Sequence, residues 1–211
     1  PFVKGEYYHI YNRGTNKMNI FSNSGEYDRF VKLLFLANSK ETVQYSDINE
    51  NNIWEINRGE SLVDVGAYCL MPNHFHILLK AKDDKSTSIF LQRLLTSHSK
   101  YFNIKYKRSG SLFQGKSKSK HADNDNYLKY LFAYIHLNPL KIMDSKWRES
   151  GIGDTAKALD YLRKYKYSSY SDYIGEERVE SKILNRKVFP EYFVKPKEHI
   201  NELKEWLTYE R

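Results

Sequence analysis

The sequence predicts an α+β fold: one antiparallel sheet with helices packed on it, an added helix after the last strand, and a small helical C-terminal extension. Three observations carry this. Residues 6–13, 62–71, 74–81 and 112–121 alternate apolar and polar side chains or form short apolar runs, the pattern of strands. Stretches with apolar residues at i, i+3, i+4 and i+7 stand between and after them, the pattern of helices. Hydrophobic residues make up 40% of the 211 and aromatics 15%, which is enough to bury a core and excludes a disordered chain.

The elements follow in order. Glu6–Arg13 is β-prone and ends at Gly14, a strand and then a turn. Ser22-Asn-Ser-Gly-Glu26 is a helix-start signal, and Tyr27, Phe30, Val31 and Leu34 place a helix over 24–38. Residues 39–61 are polar and form a surface excursion with a short strand at Ile53–Ile56. Leu62–Met71 and His74–Ala81 form a hairpin turning at Pro72-Asn73. Thr87 or Ser88 caps a second helix, whose stripe is Leu91, Leu94, Leu95, His98 and Phe102, with His98 at the core or its boundary. Residues 103–110 form a basic loop. Leu112–His121 is a fourth strand that sets Lys116, Lys118 and Lys120 on one face. Asp123-Asn-Asp-Asn126 caps a third helix, Tyr127–Leu137, stopped at Asn138-Pro139. A short helix at Ala156–Tyr165, a turn-rich Tyr/Ser segment to Gly175, a helical piece over 178–194 and an amphipathic helix at Glu198–Tyr209 complete the chain. The core order, strand-helix-strand-strand-helix-strand, is the split βαβ, ferredoxin-like arrangement with both helices on one face. The chain divides into a domain over 1–145 and a helical extension over 146–211, packed on or beside it.

Composition narrows the class. Cys69 is the one cysteine and lies in an apolar run, so a disulfide framework is excluded and a buried packing role expected. The first residues lack the apolar core of a signal peptide, and no window approaches a membrane span. A soluble, cytoplasmic protein without membrane partners is expected. The net charge is +8, and its placement says more than its size. From Lys85 to Ala122 there is no Asp or Glu but there are nine basic residues, while the rest of the chain holds 25 basic and 26 acidic residues. All the excess charge therefore lies in one segment, as a polyanion-binding surface requires.

The chemistry gathers around His74-Phe75-His76. In a strand the two imidazoles share one face while Phe75 and Ile77 point to the core. On the third helix, Leu128, Leu131, Phe132 and Ile135 form the core face. Tyr127, Tyr130, Tyr134 and Asn138 form a separate one. Two neutral imidazoles and one amide oxygen make a poor zinc site. They suit Mg²⁺ or Mn²⁺ sharing its shell with phosphate oxygens and water. A phosphodiester polarised next to a tyrosine invites covalent phosphoryl transfer, and the helix geometry offers Tyr127, Tyr130 and Tyr134 alike.

At these residues the chain resembles single-tyrosine HUH transposases of the REP-associated tyrosine transposase type. Tyr68–Leu79 resembles the HUH strand pair, Leu112–Lys116 the basic strand, and Tyr130-Leu-Phe-Ala-Tyr134-Ile-His-Leu-Asn138-Pro the catalytic helix. Tyr7–Gly14 and Tyr167–Tyr170 fit its first strand and C-terminal segment, so the motifs occur in order across most of residues 5–175. The resemblance implies that 1–145 is an HUH nuclease domain. It implies Tyr134 as the nucleophile, His74, His76 and Asn138 as ligands of Mg²⁺ or Mn²⁺, and single-stranded DNA with a hairpin as substrate. Cleavage then leaves a 5′-phosphotyrosine and a free 3′-hydroxyl. Arg13, Lys116, Lys118, Lys120, Lys105, Lys107 and Arg108 are the expected DNA-holding cations. Position 116 is Lys where relatives often carry Arg, which removes a bidentate contact. Relatives include monomers and homodimers that exchange the tyrosine helix. Two rival readings share the fold: a DNA- or RNA-binding protein that does not cut, and a metal phosphodiesterase that uses water.

Overall fold

The structure, a computed structural model, describes residues 1–41, 45 and 48–208. Four strands, β1 (Tyr7–Arg13), β2 (Val63–Met71), β3 (His74–Ala81) and β4 (Lys118–His121), form one antiparallel sheet in the order β2-β3-β1-β4. The helices α1 (Ser24–Leu36) and α2 (Asp84–Lys105) interrupt them, giving the β-α-β-β-α-β succession expected. The α+β class and the antiparallel sheet are as the sequence predicts.

Both faces of the sheet are covered. On one, Phe30 and Leu34 of α1 and Phe90 and Leu94 of α2 pack against Ile10, Phe75, Ile77 and Leu79. On the other, α3 (Asp125–Leu137) lays Leu128, Leu131, Phe132 and Ile135, all at most 3% exposed, against Cys69 and Leu78. Each such side chain contributes about 1.5–3 kcal/mol by leaving water. Burial on both sides explains why β2 from Val65 to Met71 reads as an apolar run rather than an alternation. The strand bulges between Val65 and Ala67, which shifts its phase so that Val65 and Tyr68 face the same core.

The C-terminal segment runs along β2's outer edge. Leu70 N donates to Tyr167 O, Ser169 N to Tyr68 O and Asn185 N to Val65 O. An edge strand's unpaired backbone groups are thereby satisfied within the chain. Short helices α4 (Leu140–Met143), α5 (Trp147–Ser150), α6 (Thr155–Lys164) and α7 (Tyr170–Tyr173) lead to α8 (Pro196–Thr208). Two 3₁₀ turns, Val179–Ile183 and Arg186–Val188, replace the expected helical piece over 178–194. Residues 42–44 and 46–47 of the expected excursion and Tyr209 of the expected last helix lie outside the described residues.

Three local expectations are corrected. Helix α2 is capped by Asp83, not Thr87 or Ser88: the Asp83 carboxylate accepts from Ser86 N and Ser86 Oγ, a stronger cap than a hydroxyl makes. Glu50–Glu55 is a 3₁₀ helix, so no strand forms at Ile53–Ile56, and Ile53 is anchored in the core from that helix. Of Leu112–His121 only β4 pairs with β1, because Gly115 turns the chain at φ +70° while Gln114 N donates to Arg13 O. Lys116 therefore lies outside the strand, and the three-lysine register reduces to Lys118 and Lys120.

Three histidines are locked into the core as neutral species. His98 donates to Ile20 O at 2.8 Å. His136 on α3 bridges His199 of α8 and Ser169 Oγ, both at 2.8 Å. Burial lowers His98 to about 4 and His199 to about 3, and holds His136 well below 6.5. The folded protein then binds fewer protons than the unfolded chain below pH 6.5. Stability falls as pH drops from 6.5 toward 4, by up to about 1.4 kcal/mol per pH unit for each such histidine. Urea midpoints at pH 7 and pH 5 test this: equal midpoints would contradict it. A second prediction concerns the bulge. A Cβ on Gly66 would sit 2.6 Å from Phe189 Cζ, so Gly66→Ala displaces that ring and costs about 1–3 kcal/mol in a denaturant titration.

Candidate active site

The site is built on the α3 face of the two central strands. β1 pairs with β3 in a register that sets Tyr11 opposite His76 and Arg13 opposite His74. β4 then sets Lys118 opposite Tyr11 and Lys120 opposite His9. Paired residues share a face, so two histidines, a third at His9, and two lysines stand together.

Each candidate donor atom is oriented by a partner. Asn73 Nδ2 donates to Lys17 O at 3.2 Å, which turns Asn73 Oδ1 to His74 Nδ1 at 2.6 Å. The His74 proton is thus on Nδ1 and its Nε2 is a lone pair. Asn138 Nδ2 donates to Tyr134 O at 2.7 Å, which leaves Oδ1 buried with no partner among the described residues. His76 Nδ1 lies 2.9 Å from His9 Nε2, and His76 Nε2 is likewise buried and unpartnered.

All three imidazoles are held neutral. Burial, with the charges of Lys141 and Arg13, lowers His74 to about 4. Burial and then Lys120 lower His9 to about 4. Burial, the neighbouring imidazoles, Lys141 and Arg148 hold His76 well below 6.5. Neutral imidazoles are the form that binds metal. Among the described residues no three His, Cys, Asp or Glu side chains gather as a metal site, so a third protein donor would have to be of another kind, such as the Asn138 amide oxygen. Two orphaned buried acceptors, one on β3 and one at the end of α3, fit that requirement. The N/N/O set is the one that Mg²⁺ or Mn²⁺ tolerates with water and phosphate completing the shell.

Tyr134 stands over the histidines. Its half-buried ring meets His76 edge-on at 5.5 Å and His9 at 5.7 Å, and the Arg148 guanidinium lies 4.6 Å from its centroid. Tyr130 packs between Tyr134 and Trp206, and Tyr127 lies under Lys120. The mouth is a concavity of about 370 Å³ lined by Tyr11, Arg13, Lys17, Asn73, His74 and Lys118.

The expected cations divide. Arg13 and Lys118 line the mouth, with Arg13 held by Gln114, and Lys120 lies beside them on β4. Lys116 is exposed on the preceding loop. Lys105 pairs with buried Glu26 at 2.8 Å on the opposite side of the sheet, where Tyr106 also donates to that carboxylate. Burial alone would raise the Glu26 pKa, but bonds from Lys105, Tyr106 and Ser22 N hold it below its usual value. Arg108 donates to Asn103, and Lys107 is exposed at the end of α2. Sequence reasoning missed His9 and Arg148. The two-residue step from His9 to Tyr11 signals only a shared face, and nothing in the sequence marks Arg148.

The sequence pattern of the IS200-like transposases matches residues 3–138. No curated protein matches the chain. Among solved structures, the REP-associated tyrosine transposase bound to a REP hairpin is similar, with a TM-score of 0.53 at 10% identity, over 85% of this chain and 87% of that one. That likeness shows a shared fold. With the family pattern spanning the sheet, both core helices and α3 through Asn138, the chain belongs to the IS200-like transposase family.

Proposed function

We propose that this protein is a divalent-metal-dependent single-stranded DNA endonuclease and strand transferase that cuts beside a DNA hairpin with Tyr134 as nucleophile. The observation that carries the reading is the placement of Tyr134 edge-on to His76, with the orphaned Asn138 oxygen one helical turn further. The hairpin as substrate is supported by the resemblance and by the similar solved protein, which is bound to one.

His74 Nε2, His76 Nε2 and Asn138 Oδ1 would hold Mg²⁺ or Mn²⁺. When bound, the cation supplies charge neutralisation at the phosphate oxygens. Arg13, Lys118 and Lys120 bind the backbone phosphates along β1 and β4. Arg148 steadies the phenol ring and adds positive charge where the phosphate must approach. Tyr134 Oη forms a bond to phosphorus as the bond from phosphorus to the 3′ oxygen breaks. The phenol loses its proton and the departing oxygen gains one, leaving a 5′-phosphotyrosine and a 3′-hydroxyl.

The test uses end-labelled hairpin oligonucleotides from the gene's own flanks with Mn²⁺ or Mg²⁺, resolved on a denaturing gel. Wild type is expected to form a protein–DNA adduct that Tyr134→Phe and His74→Ala abolish while binding survives. An adduct that persists in Tyr134→Phe moves the nucleophile to Tyr127 or Tyr130. Cleavage without an adduct indicates attack by water, and binding without cleavage indicates a binding-only protein. A companion prediction concerns salt. Lys118→Ala and Arg13→Ala each reduce the slope of log affinity against log salt by about 1, whereas a variant at Lys105, engaged with Glu26, leaves the slope unchanged.

A further inference from the structure

His9 has no role in the reading above, yet it is the group His76 leans on. It lies on β1 on the same face as Tyr11, buried to 5% exposure. Its ring stacks on His76 with centroids 5.0 Å apart, and its Nε2 is 2.9 Å from His76 Nδ1. Two neutral imidazoles joined nitrogen to nitrogen share one proton, and its position has a consequence. If His9 donates, His76 carries its own proton on Nε2, a buried N–H with no acceptor among the described residues and no capacity to bind a cation. If His76 Nδ1 donates, Nε2 is a free lone pair, buried and without a partner among the described residues. His74 meets the same requirement with a different partner, since the Asn73 oxygen can only accept. With the second tautomer the two histidines would present the same nitrogen, each backed by an acceptor on its Nδ1 side.

We propose that His9 is a positioning residue that accepts the Nδ1 proton of His76 and thereby presents His76 Nε2 as a ligand for a divalent cation. This rests on the metal reading under Proposed function. His9 is not itself a ligand through Nε2, because that atom is engaged with His76. An acceptor behind a ligating imidazole fixes its tautomer and ring orientation and raises its basicity.

The experiment is a Mn²⁺ titration of the DNA-free full chain, followed by electron paramagnetic resonance, for wild type, His76→Ala, His9→Phe and His9→Gln. His9→Phe keeps the ring's bulk and removes the acceptor, and should weaken Mn²⁺ about 10–100-fold. His9→Gln restores an oxygen acceptor and should recover most of that loss, which a purely structural role for His9 would not produce. Nitrogen-edited NMR of the Mg²⁺-loaded wild type should show the His76 proton on Nδ1. Equal Mn²⁺ affinity in wild type and His9→Phe, loss without recovery in a folded His9→Gln, or a His76 proton on Nε2 would each overturn the assignment. Wild type that fails to bind Mn²⁺, or binding that survives His76→Ala, would instead overturn the metal reading and this assignment with it.

Discussion

The hydrogen-bonded register of β1 against β3 governs where every polar group of the site stands. Tyr7 faces Lys80 and the pairing runs without interruption to Arg13 against His74. In an antiparallel pair a slip of one residue would turn His9, Tyr11 and Arg13 into the α1/α2 core and bring Tyr8, Ile10 and Asn12 out. The register is held because Ile10, Ile77 and Leu79 are fully buried on the face covered by α1 and α2, so the core on one side of the sheet positions the chemistry on the other. β4 borrows the same register to add Lys118 and Lys120.

The second constraint is the price of buried polar atoms, which here acts as an orienting force. An unsatisfied buried donor or acceptor costs about 1–3 kcal/mol. The Lys17 carbonyl fixes Asn73, and Asn73 then fixes His74. The Tyr134 carbonyl fixes Asn138. His9 and His76 are bound to each other. His76 Nε2 and Asn138 Oδ1 are then left buried with no partner among the described residues, one on β3 and one at the end of α3. The charged pair of Glu26 and Lys105 follows the same rule on the opposite side, where it ties α1 to α2.

Much of this was legible in the sequence. Periodicity located three of the four strands, both core helices and α3, and the separation of an aliphatic from a tyrosine face on α3 matches the packing of Leu128, Leu131, Phe132 and Ile135 against the sheet. Errors fell where local signals compete. Thr87 offers a hydroxyl cap but Asp83 just ahead of it makes the stronger one, and the run through Lys116 alternates as a strand does but Gly115 turns the chain. The basic stretch from Lys85 to Ala122 reads as one surface, but folding splits it. α2 takes Lys105 to one side of the sheet and β4 takes Lys118 and Lys120 to the other, because a helix and a strand of one contiguous segment pack on opposite layers.

Sequence by itself determined the alternation that sets His74 and His76 on one face, the helix that carries Tyr134 and Asn138, and the excess of positive charge, because these follow from spacing along a single element. Only the tertiary structure decided which tyrosine meets the imidazoles, which atoms of Asn138 and His74 are free, and that His9 and Arg148 belong to the site. The free Asn138 oxygen follows from a local bond to Tyr134 O, but the other facts depend on contacts 67, 56 and 14 positions apart in the chain, from His9 to His76, from Lys17 to Asn73 and from Tyr134 to Arg148. No periodicity encodes such contacts; the pairing of β1 with β3 and the path of the chain after α3 create them.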